Sequence, residues 1–332
     1  DSPLFWLFGG LILLGAIAAN LRHIALSTTV TLLVPKEKRA NANGLVGAVQ
    51  GVGFLVTSVF SGLAIGFLGM GWTLAISVVL TFVALLHMLF VSIPEKAGAH
   101  DPELSHKKID MKGSFAAIAV VPGLMALIIF STFNNFLGGV YMSLLDPYGL
   151  TLFSVQMWGI VLGLTSVGYI VGGLVVGKFG LGKNPVRTLL ITLILMAILG
   201  SVMAIREFWL IFIGCIFLYM CTVPIIEATV QTIIQRVIPF KKQGRVFGFA
   251  QSIESAAAPI TAFLIGPIAE FIIIPFMETE AGKTQFNWLL GQGDARGIAL
   301  VFFIAGVLLL AAALFAFTTR SYRRLSEYYQ KS

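Results

Sequence analysis

Apolar residues run along this chain in blocks of about twenty to thirty, separated by short polar or Pro/Gly-containing breaks. A block of that length crosses a bilayer as a helix. Nine spans are predicted, at 4–34, 43–68, 72–93, 114–143, 152–178, 187–205, 207–238, 246–276 and 297–319. Several exceed the roughly 20 residues a crossing needs, which leaves room for tilt or for extension beyond the lipid. The short alternating segments of a membrane β-barrel are absent, so the expected fold class is all-α and integral to the membrane. One long polar stretch, "EKAGAHDPELSHKKIDMKGS", follows the third span. It divides the chain into a first bundle at 1–94, a linker at 95–113, a second bundle at 114–320 and a tail at 321–332.

Composition agrees with this pattern. The 332 residues are 58% hydrophobic and 11% charged, more apolar than a soluble core can hide. Gly and Ala are spread through the apolar blocks, as expected where helices pack closely inside lipid. Cys215 and Cys221 lie in a single span, so neither a disulfide framework nor a Cys-based metal site is expected. The first span lacks the charged start and small-residue cleavage site of a signal peptide.

The 22 cationic residues are placed asymmetrically. With the C-terminus inside, 18 of them lie on the cytoplasmic side: Lys36, Lys38 and Arg39; Lys96, Lys107, Lys108 and Lys112; Lys178, Lys183 and Arg187; Arg236, Lys241, Lys242 and Arg245; Arg320, Arg323, Arg324 and Lys331. Arg206, Lys283 and Arg296 fall outside, and Arg22 lies within a span. Cationic loops are retained in the cytoplasm. The net charge of +7 is therefore read as topology and as contact with an anionic inner leaflet, without nucleic-acid binding.

Two segments repeat one plan. "LLVPKEKRANANGLVGAVQGV" and "RVIPFKKQGRVFGFAQSIES" each run from a helix end through Pro and a basic turn into a Gly-containing helix with a Gln further in. Pro35 and Pro239 are 204 residues apart. Carried back from the start of the second bundle near Ser114, this offset predicts about ninety further residues, or three spans, before Asp1.

Twelve spans in two parallel halves of six, joined by a polar linker, resemble the major facilitator superfamily of secondary transporters. "GGLVVGKFGLGKNPVR" is similar to the second copy of that family's loop motif, with Gly173, Gly177, Lys178 and Gly180 in matching places. Gly177 stands where the family carries an acidic residue. The two basic turns are most similar to those of the drug and siderophore exporter branch, which includes macrolide and enterobactin effluxers. This resemblance implies a carrier of the bacterial inner membrane that exports amphipathic small molecules by alternating access, with protons as the candidate coupling ion and no cofactor, metal or enzymatic step; the alternatives are a permease of the same family that takes up a small metabolite, and a channel or sensor. The resemblance also implies that the hairpins at Pro35, Arg39, Pro239 and Arg245 close an inner gate. The fifth-helix antiporter motif is only partly matched by "GVGFLVTSVFSGLAIG", and Arg22 does not stand where antiporters place their fourth-helix Arg.

Candidate transport residues are the polar groups stranded in apolar spans, because an ionised side chain at mid-bilayer costs roughly 2.5–3.5 kcal/mol on insertion scales. Asn20, His23 and Ser27 share one helical face, with Arg22 beside it. Pro224, Glu227, Gln231 and Gln235 form a second stripe, in which Glu227 is the 204-residue counterpart of His23. Ser131, Asn134, Asn135 and Tyr141 add a third group, and these spans correspond to family helices that line the central cavity. The alternative for such amides and hydroxyls is simple cross-linking of helices. Glu227 and Glu254 are the proton-coupling candidates. "GQGD" at 291–294 matches an element of intramembrane aspartyl proteases, but no Tyr-Asp partner occurs in another span, and acid–base division needs two carboxylates at one site. HExxH, Gly-x-Ser-x-Gly and Walker patterns are absent.

Overall fold

A computed structural model describes residues 3–92, 111–291 and 295–331. The expected linker up to residue 110, with Lys96, Lys107 and Lys108, and most of the GQGD element lie outside the described residues.

The first helix, α1 (Pro3–Leu33), ends before Pro35, whose backbone (φ −56°, ψ 149°) opens a short 3-10 turn at Lys36–Lys38. A helical run of 51 residues, α2 (Arg39–Leu89), follows. At 1.5 Å per residue it measures about 77 Å, over twice the hydrocarbon thickness. Its interruption at Gly69 (φ 78°, ψ 168°) separates the two spans expected at 43–68 and 72–93. That backbone conformation suits a residue without a Cβ.

The second bundle begins with the short α3 (Met111–Ala119), then α4 (Leu124–Leu152). The expected span of 114–143 is thus broken near Gly123 and runs further at its far end. Pro147 sits inside α4, and Asp146 accepts a hydrogen bond from Trp158 Nε1 at 2.9 Å. These residues read as a polar break in sequence, but the carboxylate has a partner and the helix continues. The remaining spans are α5 (Val155–Phe179), α6 (Pro185–Val202), α7 (Trp209–Val237) and α8 (Phe240–Ile268). A π turn at Ala269–Ile273 carries α8 into α9 (Ile274–Glu278), followed by the short α10 (Glu280–Leu290) and then α11 (Arg296–Thr318). Among the described residues, eight segments are long and apolar enough to cross a membrane. Helix α1 supplies a further 31-residue helix at the first expected span.

The core lies in the second bundle, where α6 packs on α7 and α11, α4 on α8 and α11, and α5 on α7. Tyr148, Phe212 and Phe302 are fully buried there. Helices α1 and α2 meet this bundle through α5, α7 and α8. The 321–332 segment, expected as a tail, is instead a helix, α12 (Arg320–Lys331), because Leu325 and Tyr329 recur at helical spacing and bury themselves against the bundle.

The two repeated hairpins share their geometry. Pro35 O accepts from Lys38 N–H at 3.0 Å, and Pro239 O accepts from Lys242 N–H at 2.9 Å. Both prolines sit in the same extended region just before a helix. They mark the basic end of the molecule.

Candidate functional site

At the basic end the two bundles are joined by a glycine seam. On α2, Gly44, Gly47 and Gly51 fall at i, i+3 and i+7, on one face. A Cβ on Gly44 would lie 2.5 Å from the Gly177 amide nitrogen, one on Gly47 2.9 Å from Pro224 Cβ, and one on Gly51 2.9 Å from the Ile170 amide nitrogen. Across the seam, Gly173 leaves room for the backbone of Gly44 and Ala48. Small residues permit this approach of whole backbones. Asn41 Nδ2 donates to Gly177 O at 2.9 Å, an uncharged bond across the seam. Gly180 (φ 70°) ends α5, and Lys178 lies over the neighbouring Phe179 ring.

Beside the seam lies a latch of uncharged amides. Asn43 Nδ2 donates to Gln235 Oε1 at 2.8 Å and to Thr232 Oγ1 at 2.9 Å, and Gln235 Nε2 donates to Ser27 O at 2.8 Å. Ser27, Asn43, Thr232 and Gln235 are all buried. Arg39 completes the junction by donating to Gln235 O, Val34 O and Thr31 O. Gln243 on α8 caps the end of α7 through Gln235 O and Ile238 O. Arg245 is half-buried on the same helix. The Asn43, Thr232 and Gln235 side chains pair with one another or with Ser27 O inside this buried network, which favours one arrangement.

Directly behind the latch is a cavity of about 30 Å³, lined among others by His23, Ser27, Gln50, Pro224, Glu227 and Gln231. That holds roughly one or two waters. His23 and Glu227, equivalent under the repeat, face the same space from α1 and α7. Tyr169 on α5 donates to Glu227 Oε2 at 2.6 Å. Gln231 Oε1 is buried and has no hydrogen-bond partner among the described residues.

Further from the basic end, Asn20 accepts from Gln251 Nε2 at 3.3 Å and Ser255 Oγ at 3.0 Å, which ties α1 to α8. Glu254 lies within hydrogen-bonding reach of Ser131 and near enough to Glu227 for their charges to interact. Its Oε1 is buried without a partner among the described residues. Asn135 donates to Ser131 O at 3.0 Å, and Asn134 is half-buried beside it.

Two candidates are placed elsewhere. Tyr141 is buried in the second bundle, where its hydroxyl donates to Phe302 O at 3.1 Å and its ring stacks on Phe302. Its aromatic bulk serves packing. Arg22 is exposed, since one residue of helical rotation carries it off the His23 face. Sequence reasoning misses Asn41, Asn43, Gly44, Gly51 and Tyr169 as site residues. The small-residue spacing of Gly44, Gly47 and Gly51 is the signal that points to the seam; Tyr169 has no comparable pattern.

Residues 2–262 match the profile described as Major Facilitator Superfamily. Macrolide efflux protein A of Enterococcus faecalis is 24% identical over 267 residues, covering 77% of this chain and 80% of that protein. Macrolide efflux protein A of Streptococcus pyogenes is 23% identical over 279 residues, covering 80% and 67% respectively. An MFS-type transporter of Bacillus subtilis is 22% identical over 307 residues, covering 90% and 69%. With its all-helical bundles, repeated hairpins and family match over residues 2–262, this chain belongs to the major facilitator superfamily.

Proposed function

We propose that the protein is a secondary active exporter of amphipathic small molecules, drug-like or siderophore-like, that works by alternating access and couples to protons through Glu227. The observation that carries this reading is the sealed seam at the basic end. Among the fixings between the bundles, Asn20 on α1 and Gly51 on α2 stand well inside the helices. They lie about 22 Å from Pro35 and about 18 Å from Arg39 along their helices. A carrier needs one gate that closes completely, and an uncharged latch supplies it without an ion pair whose desolvation must be repaid at each closure. The macrolide effluxers among the relatives support an amphipathic substrate. No catalytic step is part of this function.

The basic end is read as cytoplasmic from its cations. Cysteines introduced at Glu37 and Lys241, in a variant with Cys215 and Cys221 replaced by Ser, should stay unlabelled by an impermeant maleimide added to intact cells. Labelling of both from outside would reverse the topology and turn export into uptake.

The same pair tests the gate. A short bifunctional cross-linker joining the cysteines introduced at positions 37 and 241 should trap the cytoplasm-closed state and stop transport, with recovery when a cleavable linker is cut. Unimpaired flux after complete cross-linking would remove the gating role of the hairpins.

A further inference from the structure

Helix α12 is fixed to three elements at the basic end. Asn184, which accepts from Arg187 N–H to cap α6, also donates to Ser326 Oγ at 2.7 Å. Gly123, with φ 84° and no Cβ, admits the α12 backbone at Ser321 and the side chain of Leu325. The Arg236 guanidinium lies 5.0 Å from the Tyr329 ring centroid, a cation–π contact. Leu325, Ser326 and Tyr329 are buried, while Arg320, Arg323, Arg324 and Glu327 are exposed. The helix is therefore seated in one orientation.

The seat is incompletely filled. A cavity of about 50 Å³ remains beneath α12, lined by Leu127, Phe130, Leu189, Tyr322 and Leu325 among others. Docking thus leans on the Asn184 and Arg236 contacts as well as on apolar packing. Burial also holds the Tyr329 phenol above its ordinary range, against the opposing pull of Arg236.

Arg236 is the residue next to Gln235, the centre of the inter-bundle latch. One peptide bond joins the two roles: Gln235 O receives Arg39 from the first bundle, and the Arg236 side chain holds α12. Arg236 Nε is buried without an acceptor among the described residues, so Tyr329 is the identified partner that anchors the guanidinium. Arg39 and Arg236 lie near enough for their like charges to repel. A residue under that repulsion needs to be held, and α12 holds it.

The geometry points to α12 as a brace on the inner gate: docked through Tyr329 and Ser326, it keeps the end of α7 where the Asn43–Gln235 latch closes, and its release favours the open state. This inference rests on the basic end being the gate. It assigns the C-terminal helix control over gate position without contact with substrate.

The test uses the protein in lipid nanodiscs with spin labels at positions 37 and 241 reporting gate separation by double electron–electron resonance. A separate label at Gln330 reports the mobility of α12. Tyr329→Ala should mobilise the Gln330 label and raise the ratio of open to closed gate by roughly threefold to tenfold. Tyr329→Phe, which keeps the ring over Arg236, should stay within about twofold of the wild type. Ser326→Ala should give a smaller shift in the same direction and guards against a local folding defect in Tyr329→Ala. If α12 becomes mobile and the gate distribution is unchanged, or if Tyr329→Ala fails to mobilise α12, the brace is overturned. A 37–241 distance that stays short in every variant and with a macrolide added would overturn the gate reading as well.

Discussion

Replacing Glu227 by Gln is expected, under the proposed function, to leave binding of an amphipathic probe substrate within about twofold while reducing its transport under a proton gradient by more than about 100-fold, the signature of a group needed in every turnover but not for binding. The carboxamide keeps the shape and can still accept from Tyr169, whose hydroxyl lies 2.6 Å from Glu227 Oε2, but it cannot titrate. A carboxyl group inside a span is expensive to keep in ionised form, and among the described residues Glu227 has a Tyr hydroxyl and no identified cation beside it. A carboxyl in this position can take up and release a proton as its surroundings change between open and closed states. Isothermal titration and uptake into everted vesicles at fixed proton gradient measure the two halves of the prediction. Normal concentrative transport by the Gln variant would make Glu227 structural and direct attention to Glu254, which lies close enough to interact with it.

Gly44→Leu is expected to produce a protein that inserts and binds substrate but fails to close its basic end. A Cβ at that position would come 2.5 Å from Gly177 N and 2.6 Å from Val176 Cβ, and the opposing atoms belong to backbone or to a branched side chain with little freedom. Overpacking of this kind costs about 1–3 kcal/mol, enough to shift the gate equilibrium by roughly 5- to 150-fold. Transport should fall accordingly, and Lys241→Cys should react faster with a cytoplasmic thiol reagent. Gly53→Leu, at a helical position with nothing within 4 Å, is the matched control and should transport normally. Equal loss in both variants would show that the seam is not special.

Much of the architecture is legible in the sequence because its cause is local. Lipid demands long apolar runs, and Pro35, Gly69 and Pro239 interrupt or bound them for reasons written in single residues. The repeat is readable for the same reason, since a Pro, a basic turn and a helix start form one contiguous motif. His23 and Glu227 are placed opposite each other by the repeat, and one cavity contains both. The partners of polar groups are harder to read. Glu227 bonds Tyr169 from 58 residues away and Asn43 bonds Gln235 from 192 away, distances over which helical periodicity carries no information. Tyr141 illustrates the converse: its polar tip suggests a cavity, yet a buried Tyr needs only one acceptor, and Phe302 O provides it. The seating of α12 escapes a sequence reading because charges dominate its composition, although three inward positions suffice to dock it.

The most direct measurement of the central claim is counterflow. Proteoliposomes containing the purified protein, preloaded with an unlabelled amphipathic substrate that the protein binds and diluted into a trace of the same compound labelled, should accumulate label transiently above equilibrium, with saturable dependence on the internal concentration. Cross-linking cysteines introduced at positions 37 and 241 should abolish the overshoot, because a carrier must alternate to exchange. Label that only equilibrates, without overshoot or saturation and regardless of the cross-link, would contradict alternating access and show an open pathway in its place.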